Sequence, residues 1–149
     1  MQENQPLINF MNQEVSNFAV LYVKLHRYHW FIQGRHFLRL HEKFEELYEM
    51  CAEYMDELAE RVLAIGGKPL ATMSKYLKET TLTEAEADDK ESEVLAQLHA
   101  DLLQIAGELK EGEDLSAEYG DEPTADLMIN IEGELEKQAW MIRATMADR

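Results

Sequence analysis

From Arg35 to Ile65 the chain contains neither Gly nor Pro, while Leu40, Phe44, Leu47, Cys51, Met55, Leu58 and Val62 recur at steps of three or four. That period over that length predicts one long amphipathic helix, which Gly66-Gly67-Lys68-Pro69 stops. A helix with a single apolar stripe has to bury it against other elements, and the rest of the chain supplies helices for the purpose. Ahead of it, Asn4 or Gln5 can cap a helix beginning at Pro6, where the missing N–H costs nothing. Leu7, Met11, Phe18, Tyr22, Leu25 and His29 line one face, and the helix is expected to run to about Gln33, with Gly34 ending it.

Residues 68 to about 88 read as a long connection, with a short amphipathic helix over Thr72 to Lys78 and a polar, acidic stretch from Thr80 to Asp89. So long a connection in a small chain crosses the length of a bundle instead of forming a tight hairpin. A third long helix is expected from about Asp89, with Val94, Leu95, Leu98, Leu102, Ile105 and Leu109 inward. Gly120-Asp121-Glu122-Pro123 breaks the pattern, and Pro123 opens a fourth, carrying Leu127, Met128, Ile131, Leu135 and Ile142. The expected fold is all-α: a ferritin-like four-helix bundle whose one long crossover carries a short helix. With 149 residues it is expected to form one domain over 1–149.

Thirty acidic against fourteen basic residues leave a formal charge of −16, which attracts cations and repels phosphate backbones. An acidic balance also serves solubility alone. The single cysteine, Cys51, excludes an intramolecular disulfide and any multi-cysteine metal site; it lies on the apolar stripe and reads as an inert core thiol. No apolar run reaches the roughly 20 residues of a membrane span, and Met1-Gln2-Glu3-Asn4 lacks a signal peptide's basic start. A cytoplasmic protein is the expectation.

Metal centres inside a single bundle commonly use Glu-x-x-His pairs, because residues three apart project side by side. The residues three before His26, His29, His36, His41 and His99 are Val23, His26, Gln33, Leu38 and Ala96, so that pattern is absent. His41-Glu42-Lys43-Phe44-Glu45 resembles the start of a zinc-protease helix but ends in Glu, so that reading fails too. On the long second helix, His41, Glu45, Asp56 and Glu60 fall near 0°, 40°, 60° and 100° at about 100° per residue, beside an apolar stripe near 290°. They share a face, yet His41 and Asp56 lie roughly 22 Å apart along it at about 1.5 Å per residue. One chain cannot close a metal site across that gap. Two antiparallel copies about a two-fold axis would set His41 of one beside Asp56 of the other. Glu42 and Glu49 share the angular range, so a solvated acidic face accounts for the same pattern.

Lys24-Leu25-His26-Arg27-Tyr28-His29-Trp30, Gly34, Phe37, Leu40-His41-Glu42-Lys43-Phe44, Tyr48, Asp56-Glu57-Leu58-Ala59-Glu60-Arg61 and Gly66-Gly67-Lys68-Pro69 together resemble the Dps family, the miniferritins or DNA-binding proteins from starved cells. The last two helices agree in length and in Trp140. The resemblance implies a hollow homo-dodecamer, with a ferroxidase di-iron centre (Fe2+/Fe3+) between two-fold-related subunits. It implies His29, His41 and Glu45 as the metal ligands from one subunit, and Asp56 and Glu60 from its neighbour. Many members have Asp where Glu45 stands, so Glu45 reaches the metal directly or through water. Imidazole and carboxylate donors together suit Fe(II). Trp30 is expected beside the centre, absorbing stray oxidising equivalents; core packing is its other reading. His29, on the apolar stripe, is a ligand only on the resemblance, and His26 reads as support or packing.

Glu118, Asp121, Glu122 and Asp126 gather around Pro123, where negative charge also favours a helix start. In the resembling shells this segment lines pores through which Fe(II) passes; Glu122 and Asp126 match acidic pore positions, and Ala117 stands at another often acidic one. The implied activity is oxidation of Fe(II), preferentially with hydrogen peroxide, with storage of ferric mineral and protection against oxidative stress. The alternative is a nucleoid-binding, DNA-protecting protein. Against direct DNA binding, residues 1–10 hold no Lys or Arg, and only Arg143 and Arg149 are basic after Trp140. An additional surface or adhesion role stays open.

Overall fold

The computed structural model describes residues 3–147. Met1 and Gln2 of the N-terminal reading, and Arg149, lie outside the described residues. Four long helices and one short one form, with no strand among the described residues: α1 Gln5–Phe31, α2 Phe37–Ala64, α3 Met73–Glu79, α4 Glu91–Glu118 and α5 Glu122–Met146. This is the expected all-α ferritin-like arrangement.

The expected boundaries shift by a few residues at the ends. α1 stops at Phe31, and the chain turns through Gly34 at φ +120°, a conformation side chains with a Cβ rarely adopt. Asn4 stands at the N-cap position of α1 without capping it; its side-chain amide instead donates to the Ile65 carbonyl at 3.2 Å, tying the start of α1 to the end of α2. Thr72 caps α3 by accepting from the Lys75 N–H, and Asp121 caps α5 by accepting from the Thr124 N–H.

α2 buries Leu40, Phe44, Leu47, Cys51, Leu58 and Val62 as its period requires, and α4 buries Val94, Leu95, Leu98, Leu102, Ile105 and Leu109. Each such side chain contributes about 1.5–3 kcal/mol of burial, so truncating Leu47 to Ala would cost about 2–5 kcal/mol. Burial also pushes the Cys51 thiol far above its ordinary range, so it stays protonated and inert. α1 and α2 form one antiparallel pair, α4 and α5 the other. The pairs meet along an antiparallel α1–α4 seam, where the Tyr28 hydroxyl donates to Gln97 at 2.7 Å, Lys24 pairs with Asp101, and Asn17 donates to Glu108 at 3.0 Å.

The crossover leaves the lower end of α2 and returns to the upper end, where the Gln33 N–H donates to the Asp89 carbonyl at 3.2 Å. Asn12 grips its start, donating to the Lys68 carbonyl at 3.1 Å and accepting from the Leu70 N–H at 3.0 Å. Among the described residues no helix is long and apolar enough to cross a membrane.

Candidate metal centre

The short turn between α1 and α2 sets the last turn of one helix against the first turn of the next, and this alone brings His29 opposite His41. Each ring donates from Nδ1 to the other residue's backbone carbonyl: His29 to His41 at 2.7 Å and His41 to His29 at 2.8 Å. The His29 carbonyl is free to accept because it belongs to the final turn of α1, whose carbonyls have no intrahelical partner. The two rings stack at 3.7 Å between centroids, 10° from parallel.

A carbonyl can only accept, so each Nδ1 carries the hydrogen, and in the neutral ring the lone pair is left on Nε2. Metal-binding histidines are commonly held in this way, through the nitrogen that does not ligate. Glu45 stands beside them, its Oε1 3.9 Å from His29 Nε2. His29 is buried, while Glu45 is half open to solvent, so the donor pair has a polar mouth.

Aromatic rings wall the histidines. Tyr48 meets His29 edge-on at 5.4 Å, Phe37 stacks on His41 at 4.9 Å, and His26 stacks on Tyr48 at 3.7 Å while donating to the Tyr22 carbonyl. The packing reading of His26 thus holds. The sequence alone assigns Tyr48 no role; its position seven residues after His41 is the signal that it faces the same way. Trp30 is 65% exposed, which rules out core packing; its ring lies 5.3 Å from His26, at the rim of the aromatic group. His36, which carries no motif, bonds Glu91 at the start of α4 at 2.7 Å.

Asp56 and Glu60 are not brought to this cluster. They lie exposed on the far half of α2, Asp56 roughly 22 Å and Glu60 roughly 28 Å from His41 along the helix axis. Among the described residues, no three His, Cys, Asp or Glu side chains of one chain close around a metal position. Asp56 instead borders an open groove between α1, α2 and α3 that is otherwise largely apolar, with Tyr22, Val23, Met55, Ala59 and Met73 in its walls. Around it the acidic side chains crowd. Burial and the charges of Glu53, Asp56 and Glu60 hold the Glu57 carboxyl above its usual range, a sign that negative charge here lacks a counter-ion.

At the lower end of the bundle, Asp121 is committed to structure. It accepts from the Thr124 hydroxyl at 2.6 Å, the Thr124 N–H at 3.1 Å and the Arg61 guanidinium at 3.1 Å. Partial burial would raise its carboxyl, but the Thr124 bonds and the Arg61 charge outweigh that and hold it below the ordinary range. Glu118, Glu122 and Asp126 are exposed and enter none of the ion pairs found among the described residues.

Comparison with known proteins agrees with this fold. A ferritin-like domain model matches residues 8–148. The DNA protection during starvation protein 2 of Bacillus anthracis is 44% identical over 141 residues, 95% of this chain and 97% of that one. The crystal structure of a Dps protein from Bacillus brevis superposes with a TM-score of 0.95 at 42% identity, covering 98% of this chain and 99% of that one. The chain belongs to the Dps family of ferritin-like proteins. A further Dps structure, from Vibrio cholerae, is described as a member of a broad superfamily of ferritin-like diiron-carboxylate proteins; it is 35% identical, with a TM-score of 0.91 over 96% of this chain and 90% of that one.

Proposed function

We propose that this Dps protein is a ferroxidase that oxidises Fe(II), preferentially with hydrogen peroxide, and stores the ferric product as mineral inside a cytoplasmic homo-dodecamer whose subunits are single domains over 1–149. The substrate iron sits between two-fold-related subunits, with His29, His41 and Glu45 from one and Asp56 and Glu60 from the other. The reciprocal Nδ1 bonds of His29 and His41 carry this reading. They serve no evident packing need that an apolar pair would not meet, and they leave both Nε2 atoms available beside Glu45.

The donor set suits the cargo. Nitrogen and carboxylate oxygen bind Fe(II) well, and the half-open Glu45 leaves a path for oxidant and water. The reaction is balanced by two Fe(II), each giving up one electron, with hydrogen peroxide and two protons yielding two Fe(III) and two waters. Delivering both electrons to one peroxide avoids the one-electron step that would release a hydroxyl radical. Trp30 stands where it can take up an oxidising equivalent that escapes. The apolar groove beside Asp56 gives a second copy a surface on which to seat. Glu122 and Asp126 would attract Fe(II) at the shell's pores.

Anaerobic Fe(II) titration followed by peroxide, with native mass measured on the same sample, tests the proposal. The expected result is a twelve-subunit mass and one peroxide consumed for every two Fe(II) oxidised. Fe(II) that stays unbound by such a shell, or hydroxyl radical released at the yield of iron in buffer, would overturn it.

A further inference from the structure

Glu14 occupies a place on the α1 stripe that an apolar residue would normally take, and its side chain is completely buried. It faces Glu108 of α4 so closely that two amides bridge the pair: Asn17 donates to both carboxyl groups, and Gln13 Nε2 donates to Glu14 Oε2 at 3.1 Å and to Glu108 Oε1 at 3.2 Å. Two carboxylates cannot both be ionised in such contact, so one of them holds a proton. Burial first, and then the bond to and charge of Glu108, push Glu14 up to about 9. Burial also pulls Glu108 upward, but bonds from Glu14, Thr81, Gln104 and Gln13 outweigh it and leave Glu108 lowered. The proton therefore resides on Glu14. No cation relieves the pair among the described residues: Lys110, on the same helix as Glu108, is engaged with Glu132 and Glu136 of α5.

The same cluster fastens the crossover. Asn17, next turn on α1, donates to Glu14 at 3.2 Å, Glu108 at 3.0 Å and Thr81 Oγ1 at 3.0 Å. Its Oδ1 accepts from the Thr80 hydroxyl at 2.6 Å and the Thr81 N–H at 2.8 Å. From the other side the Thr81 hydroxyl donates to Glu108 at 2.7 Å, and Gln104 donates to the Thr81 carbonyl at 3.0 Å. Crossover segment 80–82 thus has polar anchors on both α1 and α4, and every one of them leads within two bonds to the two carboxyl groups.

We propose that the proton shared by Glu14 and Glu108 is a latch holding crossover segment 80–82 against α1 and α4, and that rising pH loosens this segment ahead of the rest of the bundle. The sign follows from linkage. Glu14 binds its proton more tightly in the latched state than in an opened, solvated one, where it would titrate near the ordinary 4.5. The Glu14 contribution to latching is therefore complete below about 4.5 and weakens progressively up to about 9, where both states are ionised and the loss stops; Glu108, lowered in the latched state, has the opposite dependence, confined to more acidic pH. Over that interval the opening constant rises by up to about tenfold per pH unit.

Hydrogen exchange of the peptide spanning Thr80–Leu82, in the full-length assembled protein, reads this opening. Glu14→Gln keeps an N–H donor toward Glu108 and cannot ionise; Gln13, which also reaches Glu108 at 3.2 Å, can surrender its bond to Glu14. Comparing wild type with the variant at each pH cancels the base catalysis of exchange itself. The expected result is a wild-type to variant ratio that climbs by at least tenfold between pH 6 and 8.5, while α2 core amides show none. A flat ratio would overturn the latch. Infrared titration of the wild type alone is the second measurement, because it does not depend on the variant folding. A carboxylic-acid carbonyl band that persists at pH 7 and vanishes toward pH 10 is expected, and its absence at pH 7 would equally overturn the proposal.

Discussion

Lys24 and Asp101 form an ion pair of 2.5 Å in the seam between α1 and α4, with their side chains only 4% and 11% exposed. The Lys24 ammonium also donates to the Thr83 carbonyl at 2.8 Å, so one charge fastens α1, α4 and the crossover together. Burial nevertheless dominates at Asp101 and holds its carboxyl above the ordinary range, despite the bond to and charge of Lys24. Removing the lysine leaves a buried carboxylate without a counter-charge, which costs far more than the pair contributes.

Lys24→Met is expected to destabilise the subunit by about 3–5 kcal/mol in denaturant unfolding at neutral pH. The deficit should narrow on acidification, because an unpaired Asp101 can take up a proton and its folded-state affinity for that proton is then higher still. Adding Asp101→Leu should restore most of the loss. A double variant no more stable than the single one would show that Lys24 acts through Thr83 alone.

The periodic part of the fold is legible from the sequence because each long helix has to bury one stripe, and the residues of that stripe are apolar and regularly spaced. Gly34 and Gly66-Gly67 mark ends that the structure places within a few residues. The polar seam is not legible in the same way. Lys24, Asp101, Glu14 and Glu108 look like surface charges in a sequence where 30% of residues are charged, and only tertiary pairing separates them from the exposed ones. Glu14 did carry a signal, since it interrupts the α1 stripe between Met11 and Phe18. At the candidate site, residue spacing shows that His41 and Asp56 cannot meet within one helix. That His29 and His41 fix each other through their carbonyls depends on the geometry of a turn, which spacing does not encode.

Replacing Glu122 and Asp126 together with Gln and Asn is expected to slow iron uptake into the shell at low Fe(II) while leaving assembly intact. Both side chains are exposed, so the change removes a cation-attracting field without touching the core. Stopped-flow uptake beside native mass checks this. Unchanged kinetics would leave these residues as helix-start charges only, alongside the Asp121 cap.

Plasmid mobility should be unaffected by the protein at neutral pH in about 0.15 M salt with EDTA present, because a formal charge of −16 per subunit repels the phosphate backbone. EDTA matters, since divalent ions can bridge two anions. A stable retarded complex under these conditions would favour the nucleoid-binding alternative.

The shared centre is tested by mixing lesions. His41→Ala and Asp56→Ala should each abolish fast Fe(II) oxidation as pure homo-oligomers. In a dimer of one with the other, one centre would carry both lesions, while the second would receive an intact His41 from one subunit and an intact Asp56 from its mate. Random pairing makes about half of the dimers mixed, each with one good centre in two, so co-refolding should return about a quarter of wild-type activity. A site built within one bundle predicts no such return, because every subunit would still carry a lesion. Co-refolded shells of correct mass that stay inactive would therefore separate Asp56 from His41, and the roughly 22 Å between them along α2 would then mark two unrelated sites instead of the two halves of one.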